Sequence, residues 1–186
     1  LIIGASMVGM TLATLLTKHG IPCIAVEKHA STAIHPRAAY FHPRTMQIYN
    51  ELGLYDSMVR ESAKHYDQHA SIVDVDYLAG KVQNVWLSNV NEGIENLSPT
   101  MRLFLTQQMF EPILREKATA DGADIRFSTE MISFQPDSSG VSVLLRSTET
   151  GEKTLVRCQY MIACDGSRSG VRDSLGFKME GHGLLS

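Results

Sequence analysis

The sequence predicts an α/β fold, a parallel sheet with an antiparallel meander beside it. Three observations point there. First, the apolar run "LII" (1–3) meets a glycine-punctuated turn, a helical pattern and a second apolar run, "IPCIAVEK" (21–28). This has the size of a β-α-β unit of roughly 30 residues. Second, the strand-like runs "EMISFQPD", "VSVLLRST" and "KTLVRCQ" are joined by the short polar turns "SSG" and "ETGE". Turns that short connect antiparallel neighbours. Third, the apolar run "YMIAC" (160–164) halts at "DG", and ligands of open α/β sheets sit at such strand ends.

Bulk properties narrow the function classes. A chain of 186 residues can bury a sizeable core. Hydrophobic content of 44% and charged content of 20% are ordinary for a globular protein. A net charge of −3 gives no electrostatic case for nucleic acid or an anionic membrane. No apolar run approaches the ~20 residues of a membrane span, and residues 1–10 lack a basic leader with a cleavage site. Cys23, Cys158 and Cys164 form no C-x-x-C pair. An odd, scattered set predicts reduced thiols in a cytoplasmic setting rather than a disulfide frame or zinc site. His35, His42, His65 and His69 show no ligand spacing, so no metal is expected. The chain begins inside a strand and stops at "EGHGLLS", which neither closes a helix nor completes a strand. It reads as the amino-terminal part of a longer protein, a truncated domain over 1–186.

The elements follow in order. After Gly9 a helix is expected, with Val8, Leu12, Leu15, Leu16 and His19 on one face and Gly20 as its stop. The second strand ends at Glu27. "STAIHPRAAYFHPRT" (31–45) has no clean period and predicts a loop; a short helix over Thr45 to Leu54 follows, with Gly53 near its end. In 71–90 two strand-like runs flank "AGK", a hairpin, and "NEG" (91–93) is a further turn. Residues 66–97 therefore predict an excursion into a second, smaller sheet. In "TQQMFEPILREKATADGADIRF" (106–127), Phe110, Ile113, Leu114 and Ala118 mark one helix face. Pro112 requires that the regular helix start close before it. "DG" (121–122) ends that helix and "ADIRF" starts a strand. The meander comes next, and then "YMIAC" as a buried strand.

The first turn carries the chemistry. Gly4, Ser6 and Gly9 have the spacing of the dinucleotide fingerprint G-x-G-x-x-G, with serine at the middle position. A glycine at 4 allows the tight turn, and one at 9 lets the helix pack closely on the sheet. The middle position lies where backbone approaches a pyrophosphate, and serine is its mildest replacement. The helix N-terminus offers free N–H groups and partial positive charge. Glu27, with Lys28 after it, lies about 20 residues on, where a carboxylate accepts ribose hydroxyls and repels a 2′-phosphate. A plain strand-to-helix connection remains the alternative for the glycines alone.

Four ordered segments, "GASMVGM", "EKHASTAIHPRAAYFHPRTMQIYNELGL", "TQQMFEPILRE" and "CDGSRSGVR", resemble the FAD-dependent aromatic hydroxylases. These are single-component flavoprotein monooxygenases of the para-hydroxybenzoate hydroxylase and phenol hydroxylase kind. The resemblance covers nearly the whole chain and is weakest at 62–97. It implies a Rossmann-like FAD-binding fold with a partial substrate-side sheet. It implies that Gly4, Ser6, Gly9 and Glu27, with Lys28 beside it, bind the ADP half of FAD. Arg37 matches the family's "RA" arginine along the flavin pyrophosphate, and Arg44 its later "RT" arginine. Arg102 and Gln107 match the arginine and glutamine before the long helix. Asp165 and Gly166 match the D-G motif used for FAD and NAD(P)H, with Arg168 and Arg172 following. Arginine suits such places because its forked donors are always charged. Each of these residues has a plainer alternative, as a solvated loop, strand or turn residue.

The implied reaction uses NAD(P)H to reduce FAD. Reduced flavin takes up O2 as a C4a-hydroperoxide, which hydroxylates an aromatic or polyketide ring. The cofactor carries the hard chemistry, so no triad or metal is expected, and no phenol-activating base is identified. A second family motif, G-D, is not present in these residues. An FAD enzyme that does other chemistry, a binding module that lost its flavin, and an NAD-dependent dehydrogenase remain alternatives. The substrate, the choice of NADH or NADPH, and the oligomer (a homodimer included) stay open.

Overall fold

The structure, a computed structural model, describes residues 1–181. The end of "EGHGLLS", residues 182–186, lies outside the described residues. In chain order the elements are β1 (Ile2–Ile3), α1 (Met7–Lys18), β2 (Ile24–Val26), β3 (Tyr40–Phe41), α2 (Pro43–Glu51), α3 (Tyr55–Ser62), β4 (Ile72–Val75) and β5 (Val82–Leu87). They continue with β6 (Leu103–Phe104), α4 (Gln107–Ala120), β7 (Asp124–Arg126), β8 (Thr129–Asp137), β9 (Gly140–Ser147), β10 (Lys153–Cys158), β11 (Ile162–Ala163) and α5 (Gly170–Ser174). A 3₁₀ turn spans Ile94–Asn96. The chain divides into two units: Leu1–Thr32 with the residues from Ala118 onward, and Ala33–Lys117.

The first unit is built on a parallel sheet in the order β11-β1-β2-β7. Ile2 faces Ile162 on one side and Ala25 on the other. The meander is present as expected, an antiparallel sheet in the order β10-β9-β8. Ile3, Val26, Val143, Leu145 and Val171 form a buried apolar cluster in this unit.

Three expectations are corrected here. α1 begins at Met7, with Ser6 in extended backbone at its N-cap, so Gly9 lies within the first turn rather than ahead of the helix. The buried face of α1 is Gly9, Met10, Ala13 and Thr14, while Val8 is 69% exposed. The leucine spacing pointed to the wrong side, because a helix laid this close to a sheet puts its smallest residues inward. The run 160–164 is not buried as expected: among the described residues β11 is the outermost strand of the sheet, and Ile162 is 40% exposed.

In the second unit β3 and β6 pair antiparallel, Tyr40 opposite Phe104 and Phe41 opposite Leu103. Phe41, Tyr49 and Phe110 pack edge-on or tilted at centroid distances of 4.7–5.9 Å. Met46, Met58, Leu103, Leu105 and Leu114 are fully buried. The stretch 31–45 is therefore not all loop. It holds β3, and α2 begins at Pro43 rather than Thr45, since proline's fixed φ and missing N–H suit the first helical position. α2 stops at Glu51, Gly53 (φ +73°) turns the chain, and a further helix, α3, follows that the sequence reading did not predict. Pro112 stands six residues into α4, deeper than expected. It faces solvent, where water can serve the carbonyl that its missing N–H leaves without a donor.

The hairpin over 71–90 is present as its own two-stranded sheet, β4 with β5. Both its faces are open except at Leu87. Two buried amide side chains hold its base. Asn91 Nδ2 donates to the carbonyl oxygens of Gln68 and Arg102, and its Oδ1 accepts from the Arg102 N–H at 2.8 Å. Gln68 Oε1 accepts from the Phe104 N–H at 3.0 Å. Among the described residues no helix is long and apolar enough to cross a membrane.

Candidate functional site

The first unit gathers three loops at the carboxyl ends of three adjacent parallel strands. β1 runs into Gly4-Ala5-Ser6, β2 into Glu27, and β11 into Cys164-Asp165-Gly166. β1 connects through α1 to β2 on one side, while β11 arrives from far along the chain on the other. Ligands of open α/β sheets bind where connections diverge in this way. A cleft of about 350 Å³ opens there, lined by Val8, Ala163, Cys164, Asp165, Gly166, Ser169 and Arg172.

The glycines are explained by contact as well as conformation. Gly4 has φ +95°, and a Cβ on it would stand 2.4 Å from the Cys164 carbonyl oxygen. A Cβ on Gly9 would stand 1.9 Å from the Gly4 carbonyl oxygen. The first turn of α1 is thus pressed onto the end of β1, and β1 onto β11. Ser6 makes no capping hydrogen bond with its side chain.

Glu27 does more than the sequence reading assigned to it. Its Oε2 accepts from the Ala5 N–H and its Oε1 from the His29 N–H, both at 3.0 Å. The carboxylate thereby pins the glycine turn to the end of β2. A carboxylate has about four lone-pair sites, so accepting from these two amides leaves capacity for hydroxyl donors. Lys28 is exposed, and its carbonyl accepts from Thr148 Oγ1 at 3.3 Å.

Asp165 Oδ2 accepts from the Val171 N–H at 3.2 Å. Ser169 caps α5 by accepting from the Arg172 N–H, and Arg172 Nη1 donates to the Ser167 carbonyl. The loop after β11 is therefore tied to itself. Gly166 (φ +80°) supplies its left-handed position, and Arg168 is exposed. Burial, reinforced by the Asp165 carboxylate, pushes the Cys164 thiol above the usual thiol range. Iodoacetamide should therefore alkylate Cys164 more slowly than a small free thiol near neutral pH, with a rate that keeps rising at higher pH. Peptide mass spectrometry after timed quenching checks this.

The other candidates belong to the second unit, where the structure brings two of them together. The Gln107 N–H, at the start of α4, donates to the Arg37 carbonyl at 2.8 Å. Gln107 is buried, and its Nε2 donates to Glu111 Oε1 at 2.7 Å. The Arg37 side chain is exposed. Arg44 and Arg102 are engaged elsewhere. Arg44 donates to Gln47 Oε1 at 3.1 Å, and Arg102 Nη1 to the Val90 carbonyl at 2.7 Å. Arg102 Nε is buried and has no hydrogen-bond partner among the described residues.

Sequence reasoning missed Glu111, a carboxylate only 1% exposed. The signal was available, since Glu111 follows Gln107 by one helical turn on the face of Phe110 and Leu114. It also missed Ala38, whose φ of +48° is uncommon outside glycine.

Comparison with known proteins matches residues 1–185 to the family described as FAD binding domain. The chain is 45% identical over its full length to a 4-methyl-5-nitrocatechol 5-monooxygenase from a Burkholderia species, of which it covers 34%. It superposes on the flavin-dependent monooxygenase PieE, solved with FAD and substrate, at a TM-score of 0.83 and 31% identity, over 94% of this chain and 31% of that one. An aklavinone-11 hydroxylase solved with FAD and aklavinone gives a TM-score of 0.85 at 28% identity, over 99% of this chain and 36% of that one. The chain thus spans about a third of the length of the relatives it matches.

Proposed function

We infer the function from one premise: this chain belongs to the FAD binding domain family. It supplies the FAD-binding part of a longer NAD(P)H-dependent monooxygenase that hydroxylates an aromatic or polyketide ring. The observation that carries this reading is the Gly4–Gly9 turn, where neither glycine has room for a Cβ, set between the Glu27 and Asp165 loops. The residues fit the cofactor. A turn with only the small side chains of Ala5 and Ser6 between Gly4 and a helix N-terminus admits a pyrophosphate, and Glu27 suits ribose hydroxyls. The names of the relatives support a phenolic or polyketide ring as substrate.

When bound, FAD supplies hydride acceptance from NAD(P)H and activation of O2. The chain's own residues bind and orient. Gly4 and Ser6 present backbone to the pyrophosphate, Gly9 lets α1 lie close enough for that, and Glu27, with Lys28 beside it, takes the adenosine ribose. The resemblance assigns Arg37 to the flavin pyrophosphate, Arg44, Arg102 and Gln107 to the cofactor, and Asp165 and Gly166 to the D-G motif that serves FAD and NAD(P)H. Three free cysteines suit a cytoplasmic enzyme.

The test is an absorption spectrum of the whole protein before and after NADPH under nitrogen. A flavin spectrum that bleaches, then recovers in air, is expected, together with NADPH consumption stimulated by a phenol. A colourless protein that takes up no added FAD overturns the reading. A flavoprotein that never reacts with O2 overturns the monooxygenase assignment alone.

A further inference from the structure

The fully buried Glu111 carboxylate has no role among the cofactor residues, yet it ties together the segments that carry two of them. Its Oε2 accepts from the Ala33 N–H at 2.6 Å, and its Oε1 from Gln107 Nε2 at 2.7 Å. Two backbone bonds extend the same attachment: the Gln107 N–H to the Arg37 carbonyl at 2.8 Å, and the Leu105 N–H to the Ala39 carbonyl at 3.0 Å. The stretch 33–39 is thus held at its start by Glu111 and at its end by β6 and α4. Between the two lies Ala38 in left-handed backbone. A non-glycine residue there costs free energy, and such a conformation persists only where its surroundings over-determine it. A buried carboxylate also costs desolvation unless hydrogen-bonded, and satisfying one against loop backbone suits a fixed loop rather than a mobile one.

We propose that Glu111 is a positioning residue that acts through Arg37: it locks the 33–39 segment so that the Arg37 guanidinium is presented to the flavin. This rests on the reading above, in which Arg37 contacts the cofactor. Glu111 need not touch the flavin itself, and its effect on affinity should disappear when Arg37 is gone.

The test is a double-mutant cycle on FAD affinity in the whole protein, by fluorescence titration of apoprotein, with Arg37→Ala, Glu111→Gln and the pair. Glutamine keeps the volume and one acceptor oxygen and loses the other. Expected are about tenfold weaker binding for Glu111→Gln in the wild-type background and less than about twofold on top of Arg37→Ala. Effects that multiply in full, or a Glu111→Gln protein that binds FAD as wild type does, overturn the proposal. So does an Arg37→Ala protein of undiminished affinity. A wild-type protein that takes up no FAD is a different result and overturns the cofactor reading itself. Should Glu111→Gln not fold, Glu111→Asp, which keeps the charge and shortens its reach, takes its place in the cycle.

Discussion

Gly9→Ala is expected to abolish FAD binding and to lower stability, although it replaces a helical glycine with the best helix former. Propensity alone would favour alanine by about 1 kcal/mol. The new methyl would stand 1.9 Å from the Gly4 carbonyl oxygen, a backbone atom, with Ile2 Cγ2 at 3.3 Å behind it. Neither can move aside cheaply, because the Gly4 N–H is bonded to the Val26 carbonyl and Ile2 lies in the sheet. α1 must lift from β1, and overpacking of this kind costs about 3 kcal/mol. The net loss is about 2 kcal/mol, read as a lower urea midpoint. The lifted helix no longer offers its first-turn amides in register, so flavin should be absent even from protein that remains folded. A variant that binds FAD normally would show that the close approach is not what the cofactor needs.

Glu27→Ala is expected to weaken FAD binding about 100-fold, with a stability loss of about 1–2 kcal/mol. The two effects have separate causes. The stability loss comes from the Ala5 and His29 amides, which lose a charged acceptor at 3.0 Å and turn to water instead. The affinity loss adds the missing ribose contacts and a glycine turn no longer pinned to β2. Glu27→Gln separates them, since it retains a hydroxyl acceptor while setting an NH2 against one of those amide donors. Its affinity should fall between wild type and Glu27→Ala. Equilibrium dialysis against FAD, beside urea unfolding of the apoprotein, measures both quantities.

The parallel unit and the meander were legible because each carries a local signal: apolar runs of strand length, and short polar turns. Gly4, Gly9 and Glu27 were legible because their roles depend on spacing along one β-α-β unit. What the sequence hid is tertiary. The inward face of α1 is lined by Gly9, Met10, Ala13 and Thr14, where one methionine among small or polar residues does not register as an apolar period. β11 reads as buried because its composition is apolar, but composition does not say which strand lies at the edge. β3 is two residues long and exists only through its pairing with β6, about 60 residues on, so no local period marks it. The place of Glu111 on the apolar face of α4 was legible, but only the fold sets the Ala33 amide against it.

The sheet order also bears on how the protein is made. β1 leaves the ribosome about 160 residues ahead of one of its two partners, β11, with Ile2 opposite Ile162. At about 5–20 residues per second, synthesis leaves β1 without that neighbour for roughly ten seconds or more. Closing a loop of that length costs about 4–5 kcal/mol in chain entropy before pairing returns anything. The nascent unit therefore carries an open, apolar strand edge for most of its synthesis, an aggregation risk of the kind chaperones shield. The cleft beside Asp165 comes into being only when that edge closes, so a strand made about 160 residues later decides when the glycine turn can do its work.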